Sequence, residues 1–521
     1  MMKNKITTLL ILLSSFALGG CIDDDSTLSD NSIKEITITG LEKNYAATAY
    51  TGQRLKIEPT VTESGNLDYL WYVINSKTGT TTADGDTIQP TIIGHEKNLD
   101  YEVNLAPGNY QLRLQATDKT TGIKAFQYAS LTVSTAFSHG FYIMKQTADG
   151  NTDIDVLNED GTLSQDVLLK TSGSAMTGKP LDLCIHYNSC FINDETNDME
   201  TTDAVSVTTD ANNFAIYRNT DLQPIFDRSN VLFETMDPNE KVYGFTYTMM
   251  TGHIMFTSAG PRNATGPDYS GNANSGKYGN PLNDIEGASF FCHDVKSYGG
   301  VFVWDSKIHG LYSIDYNGYS SPLLYEDQSG SDVTQNLTGY DCLAAGYNLM
   351  NGEATAVFIL NNNTTGERYL YQTKTSRILM YLKSRTKIPS NFHMAKASTF
   401  SVNGMSAKYI YCVDDNKIYA TVFSGDELSE VEVPTEIPAG ETITYVGNQY
   451  YYTDDFNYLV VGTQNGDHYK IYFFNLVGGA PDGKAVLTAE GTGNVKSVKY
   501  MHNGFNSNYW MFGYPMYNQN N

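Results

Sequence analysis

Short stretches in which apolar and polar residues alternate recur along most of the chain. The first group includes Ile33–Gly40, Tyr69–Val73 and Gly108–Asp118. Alternation with a period of two puts apolar side chains on one face of a strand, and turn residues separate these stretches. About five to seven strands in about 100 residues predict an immunoglobulin-type β-sandwich over residues 33–135.

In the region 140–521 the predicted strands come in pairs. Examples are Gly140–Met144 with Ile154–Leu157, and Tyr409–Val413 with Lys417–Val422. Asp-Gly and Asn-Gly turns between several of the pairs are strong hairpin signals. A hairpin about every 45–60 residues, without a convincing amphipathic helix, is typical of a β-propeller with about seven blades. The chain is therefore predicted to be all-β. A stack of sandwiches or a β-helix is the alternative for this region.

The chain begins with the pattern of an export signal. Lys3 and Lys5 precede the apolar run Ile6–Leu18, which is too short to cross a membrane as a helix. The Gly-Gly-Cys sequence that ends at Cys21 resembles the bacterial lipobox, in which the cysteine becomes the lipidated first residue of the mature protein. We therefore expect a signal peptide at 1–20 and lipidation of Cys21. An ordinary secretory signal is the alternative.

Residues 21–32 are polar and acidic, and they predict a flexible tether behind the lipidated cysteine. The three aspartates at 23–25 resemble the export signal of Bacteroidota-type surface lipoproteins. That resemblance implies an outer-membrane protein, anchored by lipid and facing the cell exterior. A plain solvated linker is the alternative interpretation of this segment.

The charge of the chain limits its partners. There are 34 Lys and Arg residues against 58 Asp and Glu residues, a formal net charge of −24. Such a chain repels nucleic acid and anionic lipid, so we expect no nucleic-acid partner and membrane contact only through the lipid anchor. Cys184 and Cys190 are close enough in sequence to close a small disulfide loop, but buried free thiols are the preferred interpretation.

None of the motifs that we tested predicts a catalytic centre. Gly173–Pro180 nearly spells a phosphate-binding loop, but Pro180 stands where that loop needs Ser or Thr, and a strand pattern follows. His253, His293 and His309 lie within about 60 residues and could converge, although three unrelated environments are preferred. A pair of catalytic carboxylates leaves no local motif. We therefore expect a binding protein rather than an enzyme, with a hydrolase as an alternative.

One acidic turn has the spacing of a calcium loop. Asp149, Asn151, Asp153 and Asp155 alternate as the oxygen ligands of such a loop do. However, Ile154 stands where the loop requires glycine, and strands flank the turn on both sides. An ordinary hairpin turn is favoured. Calcium is the one cofactor left open, and no other metal or cofactor is expected.

Aromatic and loop positions are the remaining candidates for ligand contact. The stretch Gly260–Gly287 is rich in Gly, Asn and Pro, and it predicts a long loop that either contacts a ligand or partner or is a mobile insertion. Flat side chains suit stacking on sugars or peptide side chains. The predicted ligand-binding residues are Tyr269, Tyr278, Trp304, Tyr451, Tyr452 and Trp510.

Two stretches of the first domain resemble the PKD-like, immunoglobulin-type fold. They are YLWYV at 69–73 and PGNYQLRLQATDKTTG at 107–122. In this fold the central Trp71 is most simply the core aromatic residue of the sandwich rather than a platform for a ligand.

The lipobox, the acidic tether, the sandwich and the large all-β region together resemble the PKD-like family lipoproteins of Bacteroidota. This resemblance implies an association with SusC/SusD-type outer-membrane importers. The expected function is an accessory surface lipoprotein that captures an oligopeptide or oligosaccharide ligand or scaffolds the importer. A surface hydrolase acting on peptide or polysaccharide, built on the propeller, and an adhesin are the alternatives.

Overall fold

The structure is a computed structural model. It describes residues 35–62, 66–82, 85–193, 197–248, 252–267, 274–282, 285–293, 300–315, 318–325, 333, 335–376, 379–425, 427–451, 456–502 and 515–517.

The first part of the described chain is a β-sandwich. Its strands are β1 (Ile38–Thr39), β2 (Asn44–Ala49), β3 (Arg54–Ile57), β4 (Thr60–Val61), β5 (Leu67–Ile74), β6 (Thr91–Gly94), β7 (Leu99–Glu102), β8 (Gly108–Asp118) and β9 (Lys124–Thr135). The large sheet has the order β2-β9-β8-β5-β6, in which β2 and β9 run parallel. The pairs β1–β4 and β3–β7 face it.

Trp71 lies at the centre of the sandwich core, as the sequence predicts. Its side chain is fully buried, and its indole Nε1–H donates a hydrogen bond to the carbonyl oxygen of Glu96 over 3.0 Å. The alternation along β8 buries Leu112, Leu114 and Ala116 against it. The period-two pattern therefore sets which face of the sheet meets the core.

Seven sheets follow within the described ranges, numbered in chain order, and their strands pair antiparallel except for one short edge strand of sheet 5. Sheet 1 has β10 (Gly140–Gln146), β11 (Thr152–Leu157) and β12 (Leu163–Ser164). Sheet 2 has β13 (Pro180–Ile192), β14 (Met199–Thr209), β15 (Phe214–Arg218) and β16 (Pro224–Asp227). Sheet 3 has β17 (Val242–Thr248), β18 (Gly252–Thr257), β19 (Gly260–Ala264) and β20 (Tyr278–Pro281). Sheet 4 has β21 (Ala288–His293), β22 (Val301–Asp305), β23 (Gly310–Ile314) and β24 (Ser320–Pro322).

The later sheets follow the same plan. Sheet 5 has β25 (Leu324–Tyr325), β26 (Tyr340–Met350), β27 (Glu353–Asn362), β28 (Arg368–Ser376) and β29 (Leu379–Lys387). Sheet 6 has β30 (Thr399–Val402), β31 (Tyr409–Asp414), β32 (Lys417–Val422) and β33 (Ser429–Val433). Sheet 7 has β34 (Thr442–Tyr451), β35 (Phe456–Asn465), β36 (His468–Val477), β37 (Ala480–Pro481), β38 (Leu487–Thr492) and β40 (Pro515–Tyr517), and β39 (Asn494–Met501) joins sheet 1.

The sheets close into a ring because β39 returns to the first sheet. It pairs antiparallel with β10, from Gly140 opposite Met501 to Gln146 opposite Asn494. One strand of each sheet contacts the corresponding strand of the next sheet, in the order β13, β17, β21, β26, β30, β34 and β39, and β39 contacts β13. Apolar clusters fill the space between sheets. For example, Phe141 packs 4.6 Å from Phe473, ring centre to ring centre.

The prediction of an all-β fold is confirmed. In the described ranges the helical segments are α1 (Val167–Ser172) and a 3₁₀ turn at His393–Ala395. No helix within those ranges is long and apolar enough to cross a membrane. The stretch that resembles a phosphate-binding loop runs from the end of α1 into β13, as its strand-like continuation predicts.

The predicted loop Gly260–Gly287 was wrong in part. Its described residues include β19 and β20, the third and fourth strands of sheet 3. Arg262 on β19 is buried, and its guanidinium binds both carboxylate oxygens of Glu240 at 2.9 and 3.0 Å. Glycine and proline discourage a strand assignment locally, but pairing with the buried strand β18 decides the conformation. The described parts of this segment that form β19 and β20 therefore belong to the scaffold.

The sandwich is joined to sheet 2 by direct contacts as well as by the chain. The hydroxyl of Thr135 donates to the carbonyl oxygen of Thr220 over 2.7 Å, and the Asn219 amide donates to the carbonyl oxygen of Ser138 over 2.8 Å. The rings of Tyr50 and Phe137 lie 6.0 Å apart at the same joint. These contacts define one side of a cleft between the two parts.

Candidate functional site

The cleft between the sandwich and sheet 2 has a volume of about 580 Å³. That volume lies within the roughly 300–1,000 Å³ that is usual for ligand sites. The sandwich contributes Lys77 and Tyr110, and sheet 2 contributes Asn193, Glu200 and Arg218. Both parts of the molecule are therefore needed to form the site.

An ion pair crosses the cleft. The Lys77 ammonium lies 2.7 Å from a carboxylate oxygen of Glu200, which also accepts a hydrogen bond from the Asn193 amide over 2.9 Å. Lys77 is held in place because the Asn75 side chain accepts the backbone N–H groups of Lys77 and Thr78, which fixes the turn after β5. Each side of the ion pair is about one-third exposed, so it orders the cleft more than it stabilises the fold.

Arg218 presents a fixed guanidinium on the sheet 2 side of the cleft. Its Nε and NH2 groups bind both carboxylate oxygens of Asp221, at 3.1 and 2.7 Å. Asp221 is almost fully buried and also accepts the backbone N–H of Gln223. The hairpin between β15 and β16 thus holds the arginine in a bidentate pair, which limits its movement.

Tyr110 contributes a half-buried aromatic ring on the opposite side. Its hydroxyl donates a hydrogen bond to the carbonyl oxygen of Ala106 over 2.7 Å. Burial, chiefly, raises the pKa of Tyr110, so the phenol stays neutral near pH 7. The cleft therefore combines a stacking surface with planar amide, carboxylate and guanidinium groups. Such a set can hold a ligand that is rich in hydroxyl or amide groups.

A second polar cluster is buried where the inner strands of the ring approach one another. Burial raises the pKa of Asp182 on β13 to about 6, although its carboxylate accepts the backbone N–H of Phe245 over 2.9 Å. Burial lowers the pKa of Lys499 on β39, and nearby Asp182 partly opposes this shift. Burial and the charge of Lys499 lower the pKa of His293 to about 3. Charged or titratable side chains from sheets 1, 2 and 4 therefore interact electrostatically at this point.

Two histidines in the ring form a hydrogen-bonded chain with a serine. Nδ1 of His186 lies 2.9 Å from Nδ1 of His253, and Nε2 of His186 lies 2.8 Å from the hydroxyl of Ser206. Burial lowers the pKa of both histidines, that of His253 to about 4. Both rings are therefore neutral near pH 7. Ser206 is fully buried, so its hydroxyl is not placed to attack a substrate. The hydrogen bonds among these three side chains instead stabilise the interface of sheets 2 and 3.

The three predicted histidines contact different partners, as the preferred interpretation of three unrelated environments expects. His253 and His293 pack in the ring against different partners, since His293 contacts the Thr246 hydroxyl over 2.8 Å. His309 lies beside Trp304, with 6.1 Å between ring centres. His186 could not be predicted as a site residue from the sequence, because its partner His253 is 67 residues away in the chain.

We expect His293 to make the protein sensitive to acid. Its pKa is lower in the folded state than the ordinary value of about 6.5, so the unfolded chain takes up a proton first as the pH falls. The stability that neutral His293 contributes is present above about pH 6.5 and is lost as the pH falls towards 3. Between pH 6.5 and pH 5 the free energy of unfolding of the wild type should fall by about 2 kcal/mol relative to H293N. Urea unfolding at both pH values measures this difference.

The exposed His468 provides the control for this measurement, because H468N removes a histidine without disturbing a buried site. An identical pH dependence in the wild type and H293N would show that His293 is not a buried neutral group.

Two of the predicted ligand-binding residues lie in the core. Tyr278 on β20 and Trp304 on β22 each expose only 2% of their surface. Tyr278 packs against Phe245, and Trp304 belongs to the cluster between sheets 4 and 5. Neither ring is presented to solvent.

The other predicted residues cannot be compared with the geometry. Tyr269, Tyr452, Trp510 and the lipidation site Cys21 lie outside the described residues. Tyr451 is the last residue of β34, and its side chain also lies outside the described part.

The predicted calcium ligands are separated by the geometry. Asp153 on β11 accepts the backbone N–H groups of Ile154 and Leu168, and so caps the start of α1. Asp155 accepts hydrogen bonds from the Asp166 backbone N–H and the Tyr469 hydroxyl. Asp149 and Asn151 lie in the hairpin turn between β10 and β11. In the described ranges, no group of three or more His, Cys, Asp or Glu side chains could hold a metal ion.

The cysteine geometry matches the preferred interpretation. The five described cysteines are buried, and no disulfide joins any two of them. Cys184 faces the cluster between sheets 2 and 3, and the Cys190 thiol lies 3.7 Å from the carbonyl oxygen of Thr265.

The first part of the chain matches a known protein family. The sequence profile described as the PKD-like family matches residues 21–180. This stretch covers the sandwich, the first three strands of sheet 1 and the start of β13. The match confirms the PKD-like resemblance for this part of the chain. A search of curated protein sequences finds no match.

Several solved structures show partial similarity to this chain. A quinonprotein alcohol dehydrogenase-like protein from Bacteroides thetaiotaomicron is 16% identical, with coverage of 88% of this chain and 96% of that one and a TM-score of 0.45. Virginiamycin B lyase from Staphylococcus aureus is 12% identical, with coverage of 60% and 89% and a TM-score of 0.33. An auxiliary nutrient binding protein from Bacteroides ovatus is 9% identical, with coverage of 82% and 95% and a TM-score of 0.27. At these TM-scores the similarities carry no functional information.

Proposed function

We propose that the protein is a lipid-anchored surface protein that holds an oligopeptide or oligosaccharide in the cleft between the sandwich and sheet 2. In this proposal Cys21 carries the lipid, the tether reaches outward from the outer membrane, and the protein acts as an accessory subunit of a SusC/SusD-type importer. The observation that carries the proposal is the cleft itself, about 580 Å³ in volume and lined by both parts of the molecule.

The side chains of the cleft suit reversible binding. Glu200 is held by Lys77 and Asn193, and Asp221 is held by Arg218. Preformed polar groups cost little entropy to order when a ligand arrives, which supports binding at a rigid site.

We also propose that the ring of seven sheets is a seven-bladed β-propeller and that the sandwich has immunoglobulin-type, PKD-like strand connections. The closing pair β10–β39 supports a propeller, because the last strand of the ring completes the first sheet. In this arrangement the propeller is a rigid base and the sandwich forms one wall of the binding cleft.

A hydrolase is the second candidate, because two carboxylates, those of Glu200 and Asp221, line the same cleft. A pair of carboxylates can cleave glycosidic bonds when one acts as an acid and the other as a base or nucleophile. Product release from a polysaccharide that is abolished in both E200Q and D221N would favour this function over simple binding.

The importer association is tested by isolating the native protein from outer membranes in mild detergent and identifying what accompanies it by mass spectrometry. We expect a SusC/SusD-type pair in near-stoichiometric amount. Recovery of the protein by itself would contradict the accessory role and leave the cleft to be assigned separately.

Filling the cleft should abolish ligand binding. Thr201 lines the cleft from an exposed position on β14, so T201W puts a bulky ring into it. We expect at least a tenfold loss of affinity, about 1.4 kcal/mol, for whichever probe the wild type binds. The probes are a tryptic digest of casein and a mixture of malto-, xylo- and manno-oligosaccharides, and bound species are detected by native mass spectrometry.

The matched control is T364W, which places the same ring at an exposed turn of sheet 5. Equal binding by T201W and T364W would rule out the cleft as the ligand site.

A further inference from the structure

The outward face of the sandwich carries a row of exposed apolar and aromatic side chains. Tyr72 on β5 is opposite Ile92 on β6 and Arg113 on β8, and Arg113 is opposite Tyr128 on β9. Ile92 exposes 55% of its surface, Tyr128 48% and Phe126, two residues from Tyr128, 40%. A contiguous group of large exposed side chains is a candidate contact surface for a small or narrow ligand.

Planar polar side chains run down the middle of this face. The Arg113 guanidinium carbon lies 6.0 Å from the ring centre of Tyr72 and 5.1 Å from that of Tyr128, so the two tyrosines flank it. Its Nε–H donates to the Gln111 side chain over 2.6 Å, and a guanidinium has four further N–H donors. Gln115 continues the same line of side chains along β8. Hydrogen-bonding groups are thus placed between stacking groups.

The rings of Phe126 and Tyr128 are nearly parallel. Their planes differ by 8°, and their centres lie 6.4 Å apart. Phe126 and Tyr128 are alternate residues of one strand, so their apolar rings repeat along the strand at the spacing of alternate residues. Such a repeat suits a ligand that itself repeats.

We propose that this face, which we call the aromatic face (Tyr72, Ile92, Arg113, Phe126 and Tyr128), binds neutral polysaccharide. A sugar ring has an apolar C–H face, which packs on an aromatic ring, and hydroxyl groups at its edge, which take hydrogen bonds from planar side chains. The row spans four strands, or about 14 Å, and two alternate positions along a strand, or about 7 Å. That area is far below the roughly 800 Å² that each partner buries in a stable protein complex. A sugar chain therefore fits the aromatic face better than a folded protein does.

The aromatic face is independent of the cleft. Its residues lie on the outward side of the large sheet, whereas the cleft is formed by the turn after β5, by Tyr110 and by sheet 2. The proposal therefore adds a polysaccharide-holding surface to the proposed function without requiring it.

Affinity electrophoresis tests the aromatic face. The full mature chain is run through native gels that contain glycogen, arabinoxylan, galactomannan or pectic galactan. We expect at least one polysaccharide to retard the wild type, and F126A/Y128A to show at least a tenfold weaker retardation. The matched control Y319A removes an exposed tyrosine from the ring, where 73% of its surface is accessible, and should migrate as the wild type does.

The T201W cleft variant separates the two proposals, because it should keep polysaccharide retardation while it loses binding in the cleft. Absence of retardation by all four polysaccharides overturns the inference. It is also overturned if F126A/Y128A retains full retardation. If F126A/Y128A instead changes the self-association of the protein, no longer isolates with importer proteins, or frees the tether from contact with the face, then the face docks protein rather than polysaccharide.

Discussion

Replacing Lys145 with methionine is expected to lower the free energy of unfolding by about 3–5 kcal/mol. The ammonium of Lys145 lies 2.7 Å from carboxylate oxygens of both Asp155 and Asp166, and its side chain is almost completely buried. Burial disfavours its charge, but the two carboxylates outweigh burial and raise the pKa of Lys145. Without the ammonium, the fully buried Asp155 carboxylate would lose its cation.

The position of this ion pair makes the effect global. The second carboxylate oxygen of Asp155 accepts the hydroxyl of Tyr469 over 2.5 Å, and this hydrogen bond joins sheet 1 to sheet 7 across 314 residues of chain. Loss of the pair should therefore loosen the seam at which the ring closes. Urea unfolding measures the change.

The control is K417M, which breaks an exposed pair with Glu432 and should change the stability little, because solvent screens such a pair. The double variant K145M/D155N should be more stable than K145M, because the unpaired charge is gone. If K145M unfolds at the same urea concentration as K417M, the pair does not hold the ring together.

Much of the strand pattern could be predicted from the sequence, because pairing between neighbouring strands is local. The predicted strand Tyr409–Val413 is β31, and Lys417–Val422 is β32 without a shift. In both cases alternating apolar residues and a short turn fix the register. The sequence also predicts that Trp71 belongs to the core, since a tryptophan in the middle of an alternating strand meets the opposite sheet.

Interactions between distant residues could not be predicted in the same way. Asp153 and Asp155 have calcium-like spacing, yet their partners are the start of α1, Lys145 and Tyr469. The spacing of carboxylate groups can be read from a sequence, but the cations and amide groups that bind to them cannot. His186 was missed for the same reason.

The candidate cleft was also beyond the sequence analysis. It depends on how the sandwich sits against sheet 2, and its ion pair joins Lys77 to Glu200 across 123 residues. Aromatic residues were chosen as ligand contacts by type alone, and Tyr278 and Trp304 are buried in the ring. Residue type predicts what a side chain can do, whereas burial decides whether a ligand can reach it. The same limit applies to the exposed Tyr128, which no motif distinguishes from a core tyrosine.

Replacing Trp71 with alanine is expected to destabilise the sandwich by about 3–5 kcal/mol. The substitution leaves a large cavity in the core and removes the indole N–H that binds the Glu96 carbonyl oxygen. The sandwich has its own apolar cluster, whose buried members all lie between Ile36 and Val133, so the ring should keep its own unfolding transition. Calorimetry should show the sandwich transition lowered by more than about 10 °C, because 1 kcal/mol shifts a domain of this size by roughly 4–8 °C.

The matched variant for W71A is Y128A, which changes a residue on the outward face of the same sheet. Tyr128 is 48% exposed, so its removal should change the stability of the sandwich by less than about 1 kcal/mol while it weakens polysaccharide retardation. W71A should lower the stability of the sandwich, because Trp71 supports the sheet from inside. Under conditions in which the sandwich remains folded, W71A should leave the polysaccharide retardation unchanged. If W71A and Y128A were equally stable, Trp71 would not be the core residue of the sandwich. The two faces of one sheet thus separate the residues that hold the domain together from those available to a ligand.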